Sequence, residues 1–192
     1  MDKRIPIEVS ARHVHLSQND LEVLFGKGYQ LKKLRNLVQP REFAAKETLD
    51  IQTGSRKISN IRIIGPVREK TQVELSHTDG VFLRIELPVR ESEDLEDTPG
   101  AVLISSKGKI KIKKGVINAW RHIHCSPKEA KELGFKNGMS VSVKTKGTCS
   151  IIFHNVKIQV DKDYRLCMHL DTDEGNAACM AKKGQGYLVT IV

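Results

Sequence analysis

Two stretches of this chain carry paired histidines in the same setting. Arg12-His13-Val14-His15-Leu16-Ser17 returns as Arg121-His122-Ile123-His124-Cys125-Ser126. Each pair sits at i and i+2 around a β-branched residue, in a run that reads as a strand. Successive strand residues point to opposite faces, so both imidazoles of a pair share one face and can grip a single metal ion. One His-x-His is weak evidence, because a lone strand histidine is usually a satisfied core or surface residue. Duplication in the same context is stronger: four of the seven histidines fall in these two copies. Imidazole pairs suit borderline ions such as zinc.

A histidine pair leaves zinc short of a third protein ligand, with a further position open where the metal is catalytic. In Gly65-Pro66-Val67-Arg68-Glu69-Lys70-Thr71-Gln72-Val73-Glu74-Leu75-Ser76, Gln72, Glu74 and Ser76 share one strand face and Val73 and Leu75 the other. Glu74 reads equally well as a surface carboxylate, and His77 competes with it as a ligand. For the second pair, Leu166-Cys167-Met168-His169-Leu170 is an apolar strand with a histidine near its end. A buried histidine there needs a polar partner, and a metal is one candidate. His154, just before Asn155, reads as a turn residue.

The elements that must position these groups are mostly short strands. They are predicted at 5–9, 58–64, 72–75, 81–88, 102–104, 109–112, 140–144, 150–153, 156–160, 165–169 and 187–191. Turn signals such as Gly65-Pro66, Pro99-Gly100, Asn137-Gly138 and Lys146-Gly147 separate most of them. Helices are few and short, at about 17–25, 127–133 and 172–182. Ser126-Pro127-Lys128-Glu129 has proline at the first helical position and a glutamate placed to close a capping box. Many short strands point to a mainly β fold of small barrels or sandwiches rather than a βαβ sheet.

Composition narrows the function classes. A chain of 192 residues with 39% hydrophobic and 29% charged residues can bury one large core or two small ones. No apolar run approaches membrane-spanning length. The start, Met1-Asp2-Lys3-Arg4-Ile5-Pro6, is charged and enters a strand at once, unlike a secretory leader. Cysteines 125, 149, 167 and 179 form no Cys-x-x-Cys pair and no disulfide framework, so a reducing cytoplasm is expected. Net charge is +9, which favours polyanionic partners. The basic stretch at 107–114 alternates lysine with isoleucine and reads as an exposed strand whose lysines discourage edge pairing. It has no interleaved aromatics to stack bases, so nucleic acid is not the expected partner.

The motifs together resemble the PduL-type phosphate propanoyltransferases, a family of phosphotransacylases associated with propanediol degradation in bacterial microcompartments. The likeness runs through SARHVHLS (10–17), QPREFAAKET (39–48), GPVREKTQVELS (65–76), DLEDTPG (94–100), AWRHIHCSP (119–127) and MHLDTDEGNAA (168–178). It implies two small β-barrel domains interleaved in sequence and capped by short α-helices. Residues 1–11 and 120–192 would form one, residues 12–119 the other. It also implies two zinc ions per chain, one on His13, His15 and Glu74, the other on His122, His124 and His169. Arg68 matches the family's phosphate-binding arginine. Val9, Ser10 and Ala11 would offer backbone contacts to coenzyme A, with Asn176 as a polar contact and Phe43 covering the adenine or serving the core. Ala11 and Gly175 depart from the asparagine and alanine expected there. Cys125 stands where the family often has methionine, so it is not a required acyl-accepting thiolate.

The implied reaction joins acyl-CoA and phosphate to give acyl phosphate and coenzyme A. Two zinc ions with Arg68 would neutralise phosphate, aim one oxygen at the thioester carbon and polarise the thioester oxygen. Acetyl and propanoyl differ by one methylene, too little to separate from sequence. The rivals are a zinc-dependent hydrolase using the same metals on water, and a basic binding module with structural zinc. The likeness is compatible with a homo-oligomer. Only four residues precede Ile5, which implies the cytoplasm, or a microcompartment lumen if a targeting segment has been removed.

Overall fold

Alternation along the strands decides which side chains are buried. In the computed structural model, which describes residues 4–189, Ile5 and Ile7 point inward while Arg4 and Pro6 face out. The chain runs β1 (Arg4–Val9), β2 (His13–His15), α1 (Gln18–Phe25), β3 (Lys33–Asn36) and β4 (Phe43–Thr53). It continues through β5 (Arg56–Gly65), β6 (Gln72–Glu74), α2 (His77–Leu83), β7 (Val89–Arg90), β8 (Ala101–Ile104) and β9 (Lys109–Ile112). Then come β10 (Val116–Ala119), β11 (His122–Cys125), α3 (Pro127–Leu133), β12 (Ser140–Thr145) and β13 (Ile152–Val160). The last elements are β14 (Cys167–Leu170), α4 (Thr172–Ala177) and β15 (Lys183–Val189). The protein is mainly β, as the strand signals predict.

The chain divides into two compact units. Residues up to Ala11, Val38–Pro40 and residues from Trp120 onward form the first. Its strands close into a six-stranded barrel in the order β1-β14-β11-β13-β12-β15, around Ile5, Ile7, Ile123, Val143, Val156, Ile158, Met168 and Leu170. The second unit, Arg12–Leu37 with Arg41–Ala119, carries a nine-stranded sheet, β7-β10-β6-β2-β5-β4-β8-β9, with β3 on β4. Its core includes Val14, Leu16, Leu49, Ile51, Ile61, Ile63, Val73 and Leu103.

The same pairing pattern is built twice. In one unit β2 runs parallel to β5 and antiparallel to β6. In the other β11 runs parallel to β13 and antiparallel to β14. The strand before each histidine motif serves the other unit's sheet: β1 pairs parallel with β14, and β10 parallel with β6.

Several elements differ from the sequence expectation. Residues 81–88 read as a strand, yet Val81 and Leu83 end α2 and a coil follows. Ser76 and Asp79 close a capping box that starts this helix, and Arg84 in the left-handed region ends it. Val81 and Phe82 are 66% and 46% exposed, so their apolar run is one helical turn with only Leu83 inward. The longest strand, β4, has no clean alternation because two bulges interrupt its pairing with β5. Arg62 Nη1 donates to the carbonyls of Ala45 and Lys46 there, at 3.0 and 2.8 Å. The strands expected at 150–153 and 156–160 are one strand, β13, with His154 inside it rather than at a turn, and Asn155 takes a positive φ within the strand. Helix α4 stops at Ala177, short of 182. The last strand begins four residues earlier than expected, and residues 190 and 191 of that expectation lie outside the described residues.

The cysteines also differ. Cys149 and Cys179 form a disulfide that ties the β12–β13 connection to the segment after α4. Folding, not sequence spacing, brings this pair together, so the sequence carries no signature of it. Cys125 and Cys167 are free and buried.

Candidate metal centres

Val14 and Val73 turn into the core, so their neighbours His13, His15, Gln72 and Glu74 emerge on the opposite face. Antiparallel pairing sets His13 opposite Glu74 and His15 opposite Gln72. His13 Nε2 lies 3.3 Å from Glu74 Oε2, and His15 Nε2 lies 3.8 Å from Glu74 Oε1. One donor atom from each of the three falls within 4.8 Å of the others. Zinc bonds of about 2.0–2.2 Å give tetrahedral edges of about 3.3–3.6 Å, and the two histidine–carboxylate separations lie close to that range.

Electrostatics favour the same donors. Burial would raise the Glu74 carboxyl, but His13, His15 and Arg68 outweigh it and hold the group well below the usual carboxylate range. Burial, with His13 and Arg68 adding to it, pushes His15 well below the ordinary histidine value. The set is therefore a neutral buried imidazole and an ionised carboxylate, the forms that ligate metal. His15 Nδ1 makes no hydrogen bond of ordinary geometry, and the Ile64 backbone exerts only the weakest of the pulls on its ring. Gln72, buried, donates to Glu74 Oε1 at 2.7 Å and to Ser92 Oγ at 2.9 Å, which fixes the carboxylate's orientation.

The second cluster repeats this on the barrel's outer face. Ile123 and Met168 point inward, and β11–β14 pairing sets His122 opposite His169. The rings of His122, His124 and His169 lie with centroids 4.5 to 5.1 Å apart, with donor atoms again within 4.8 Å. His122 Nδ1 sits 2.7 Å from the Trp120 carbonyl. A carbonyl only accepts, so Nδ1 carries the proton and Nε2 presents its lone pair, the arrangement metal-binding histidines adopt. Gln159 Oε1 lies 2.9 Å from His124 Nε2, Gln39 Nε2 lies 3.2 Å from His169 Nε2, and Tyr164 stacks on the His124 ring at 3.9 Å. Sequence reasoning missed Gln39, Gln159 and Tyr164, which are distant in the chain from the groups they touch. Glu8, Cys167 and His169 also converge, but burial and then Glu8 push the Cys167 thiol up to about 12, a poorer donor than the imidazoles.

His77 is the exposed first residue of α2 and joins no donor cluster among the described residues. Arg68 donates Nη1 to Ser92 Oγ at 2.9 Å and Nη2 to Glu42 Oε1 at 3.2 Å, and its charge acts on both His15 and Glu74. The N–H groups of Val9 and Ser10 are bonded to the carbonyls of Lys182 and Leu170, so they are committed within the protein. Val9 packs on Gly175: a Cβ at 175 would stand 2.6 Å from Val9 Cγ2, which explains glycine where alanine was expected. Ala11 and Asn176 are exposed. Phe43 lies over Gly65, where a Cβ would meet its ring at 2.4 Å, and packs against the second unit's core. Cys125 is buried, and burial with Glu129 raises its thiol to about 11, so it holds no thiolate at neutral pH.

A model of the phosphate propanoyltransferase family matches residues 6–181. The chain belongs to the phosphate propanoyltransferase family. It is 49% identical over 189 residues to the phosphate propanoyltransferase of Thermotoga maritima, covering 98% of this chain and 89% of that one. The phosphate propanoyltransferase of Lachnoclostridium phytofermentans is 46% identical over 98% of this chain and 87% of its own. That of Listeria monocytogenes is 42% identical over 96% and 86%. The family membership makes this protein an acyltransferase. Among the described residues no helix is long and apolar enough to cross a membrane.

Proposed function

We propose that this phosphate propanoyltransferase family member transfers an acyl group from propanoyl-CoA or acetyl-CoA to phosphate, releasing coenzyme A and acyl phosphate. The observation that carries this reading is the pair of convergent three-donor clusters, one of them under the charge of Arg68. His13, His15 and Glu74 would hold one zinc ion, and His122, His124 and His169 the other. Zinc bound there would supply positive charge to phosphate and to the thioester oxygen as it becomes anionic.

Arg68 would bind phosphate through its planar fork, exchanging Glu42 for a phosphate oxygen, while Ser92 keeps the guanidinium aimed. One phosphate oxygen attacks the thioester carbon, the C–S bond breaks, and the electron pair leaves on coenzyme A sulfur. The protonated Cys125 and Cys167 thiols favour direct transfer over an acyl-cysteine intermediate. The exposed Ala11 and Asn176, at the ends of β1 and α4, are the proposed coenzyme A contacts, since the N–H groups of Val9 and Ser10 are already bonded within the protein, and Phe43 serves the core rather than the adenine. The net charge of +9 suits the cofactor's phosphates. In this reading the protein works in the cytoplasm or a microcompartment lumen.

The test is coenzyme A release from propanoyl-CoA, followed with a thiol reagent in the presence and absence of phosphate. Release that requires phosphate is expected. Equal release without phosphate would identify a zinc-dependent hydrolase, and no release a binding module.

A further inference from the structure

An arginine immediately precedes each histidine strand, and each arginine reaches an acid at the same place in its unit. Arg12 Nε lies 3.0 Å from Asp79 Oδ2 and Nη2 2.8 Å from Asp79 Oδ1, a bidentate fork on a side chain only 4% exposed. Arg121 Nη1 bonds Glu174 Oε1, and its Nε donates to the His154 carbonyl at 2.8 Å. Counting from the third donor, the pattern is identical. Glu74 is followed by the N-cap Ser76 and by Asp79 at the third helical position of α2. His169 is followed by the N-cap Asp171 and by Glu174 at the third helical position of α4. Asp79 and Glu174 each close a capping box and take an arginine as well.

The strands that carry the donors are short. β2 and β6 have three residues each, β11 and β14 four. So few ladder bonds hold their relative position weakly, and a slip of one residue would turn each histidine to the wrong face. In each copy the arginine, by a bidentate fork at Arg12 and through Nη1 alone at Arg121, ties the start of the histidine strand to the helix that follows the partner strand. It thereby fixes the separation across which His13 meets Glu74 and His122 meets His169. The acid differs between the copies, aspartate in one and glutamate in the other, while the tie is kept.

We propose that Arg12 and Arg121 are positioning residues, each holding one cluster's donors in register through Asp79 and Glu174. This rests on the metal-binding reading above. The experiment measures zinc affinity by competition with a chromophoric chelator. Wild-type protein is first shown to take up two equivalents. Arg12→Gln is then made in a His122→Ala background and Arg121→Gln in a His13→Ala background, so that each variant reports one site. Each arginine change is expected to weaken its own site about 10–100-fold, the usual effect of losing a group that orients a ligand. Arg12→Lys keeps the charge but not the fork, so it should not restore affinity; it and Asp79→Asn carry the same expectation if Arg12→Gln does not fold. Zinc affinities unchanged in these variants, with only the melting temperature of metal-free protein lowered, would overturn the proposal and leave the arginines as braces. Wild-type protein holding fewer than two zinc equivalents would overturn the metal-binding reading itself, before any arginine is changed.

Discussion

Arg68 Nη2 stands 3.2 Å from Glu42 Oε1, so the guanidinium proposed to receive phosphate already faces an anion of its own chain. The pair is partly exposed, with side chains at 26% and 31%, and such pairs contribute ~0–1 kcal/mol. Phosphate must displace only that much. Glu42→Gln should therefore lower the Michaelis constant for phosphate, by about fivefold at most, and leave that for acyl-CoA unchanged. A higher phosphate constant in Glu42→Gln would mean that Glu42 aims the guanidinium instead.

Arg68→Lys keeps the charge and loses the fork. A charge-assisted hydrogen bond contributes ~1.5–3 kcal/mol, so the phosphate constant should rise about tenfold or more while acyl-CoA binding holds. Normal phosphate kinetics in this variant would reduce Arg68 to an ordinary ion-pair partner of Glu42.

Spacing left Glu74 and His77 level as third donors, and cross-strand register separates them. Glu74 faces His13, whereas His77 opens α2 in solvent. Glu74→Ala should abolish activity and remove one zinc equivalent by elemental analysis, and His77→Ala should leave both near wild type. The reverse result would move the third donor to His77.

What the sequence showed and what it hid divide along physical lines. The i, i+2 histidines were legible because strand period alone places them on one face. The helix at 127–133 was legible from its cap and proline, and α3 spans Pro127–Leu133. Helix α2 was not, because Val81-Phe82-Leu83 imitates a strand and the cap that overrides it lies at Ser76 and Asp79. Gln39 beside His169 and Cys149 bonded to Cys179 were invisible for another reason: only the folded chain makes them neighbours.

The α3 cap should show in the acid limb of stability. Burial raises the Glu129 carboxyl, but hydrogen bonds from Ser126 and Leu166 and the charge of Arg165 outweigh it and hold it below its ordinary range. A carboxyl lowered by folding contributes stability above its unfolded pKa and loses it as pH falls through the folded one. Glu129→Gln should thus melt lower than wild type at pH 7, and the gap should close as pH drops below about 4.5. A gap that is constant from pH 7 to pH 3 would remove Glu129 ionisation from the account.

The disulfide makes a last expectation about the first unit. Cys149 and Cys179 are 30 residues apart in sequence, and closing a loop of that length stabilises by ~3–4 kcal/mol on the chain-entropy account. For a chain of this size that corresponds to about 6–16 °C in melting temperature. Reductant should lower the transition by that order in wild type and do nothing in Cys179→Ser, which should already melt low. A thiol titration in denaturant without reductant should count two cysteines, Cys125 and Cys167, because the other two are bonded. Four reactive thiols in protein purified without reductant would show that Cys149 and Cys179 are unpaired in solution, and the reductant-dependent shift should then vanish as well.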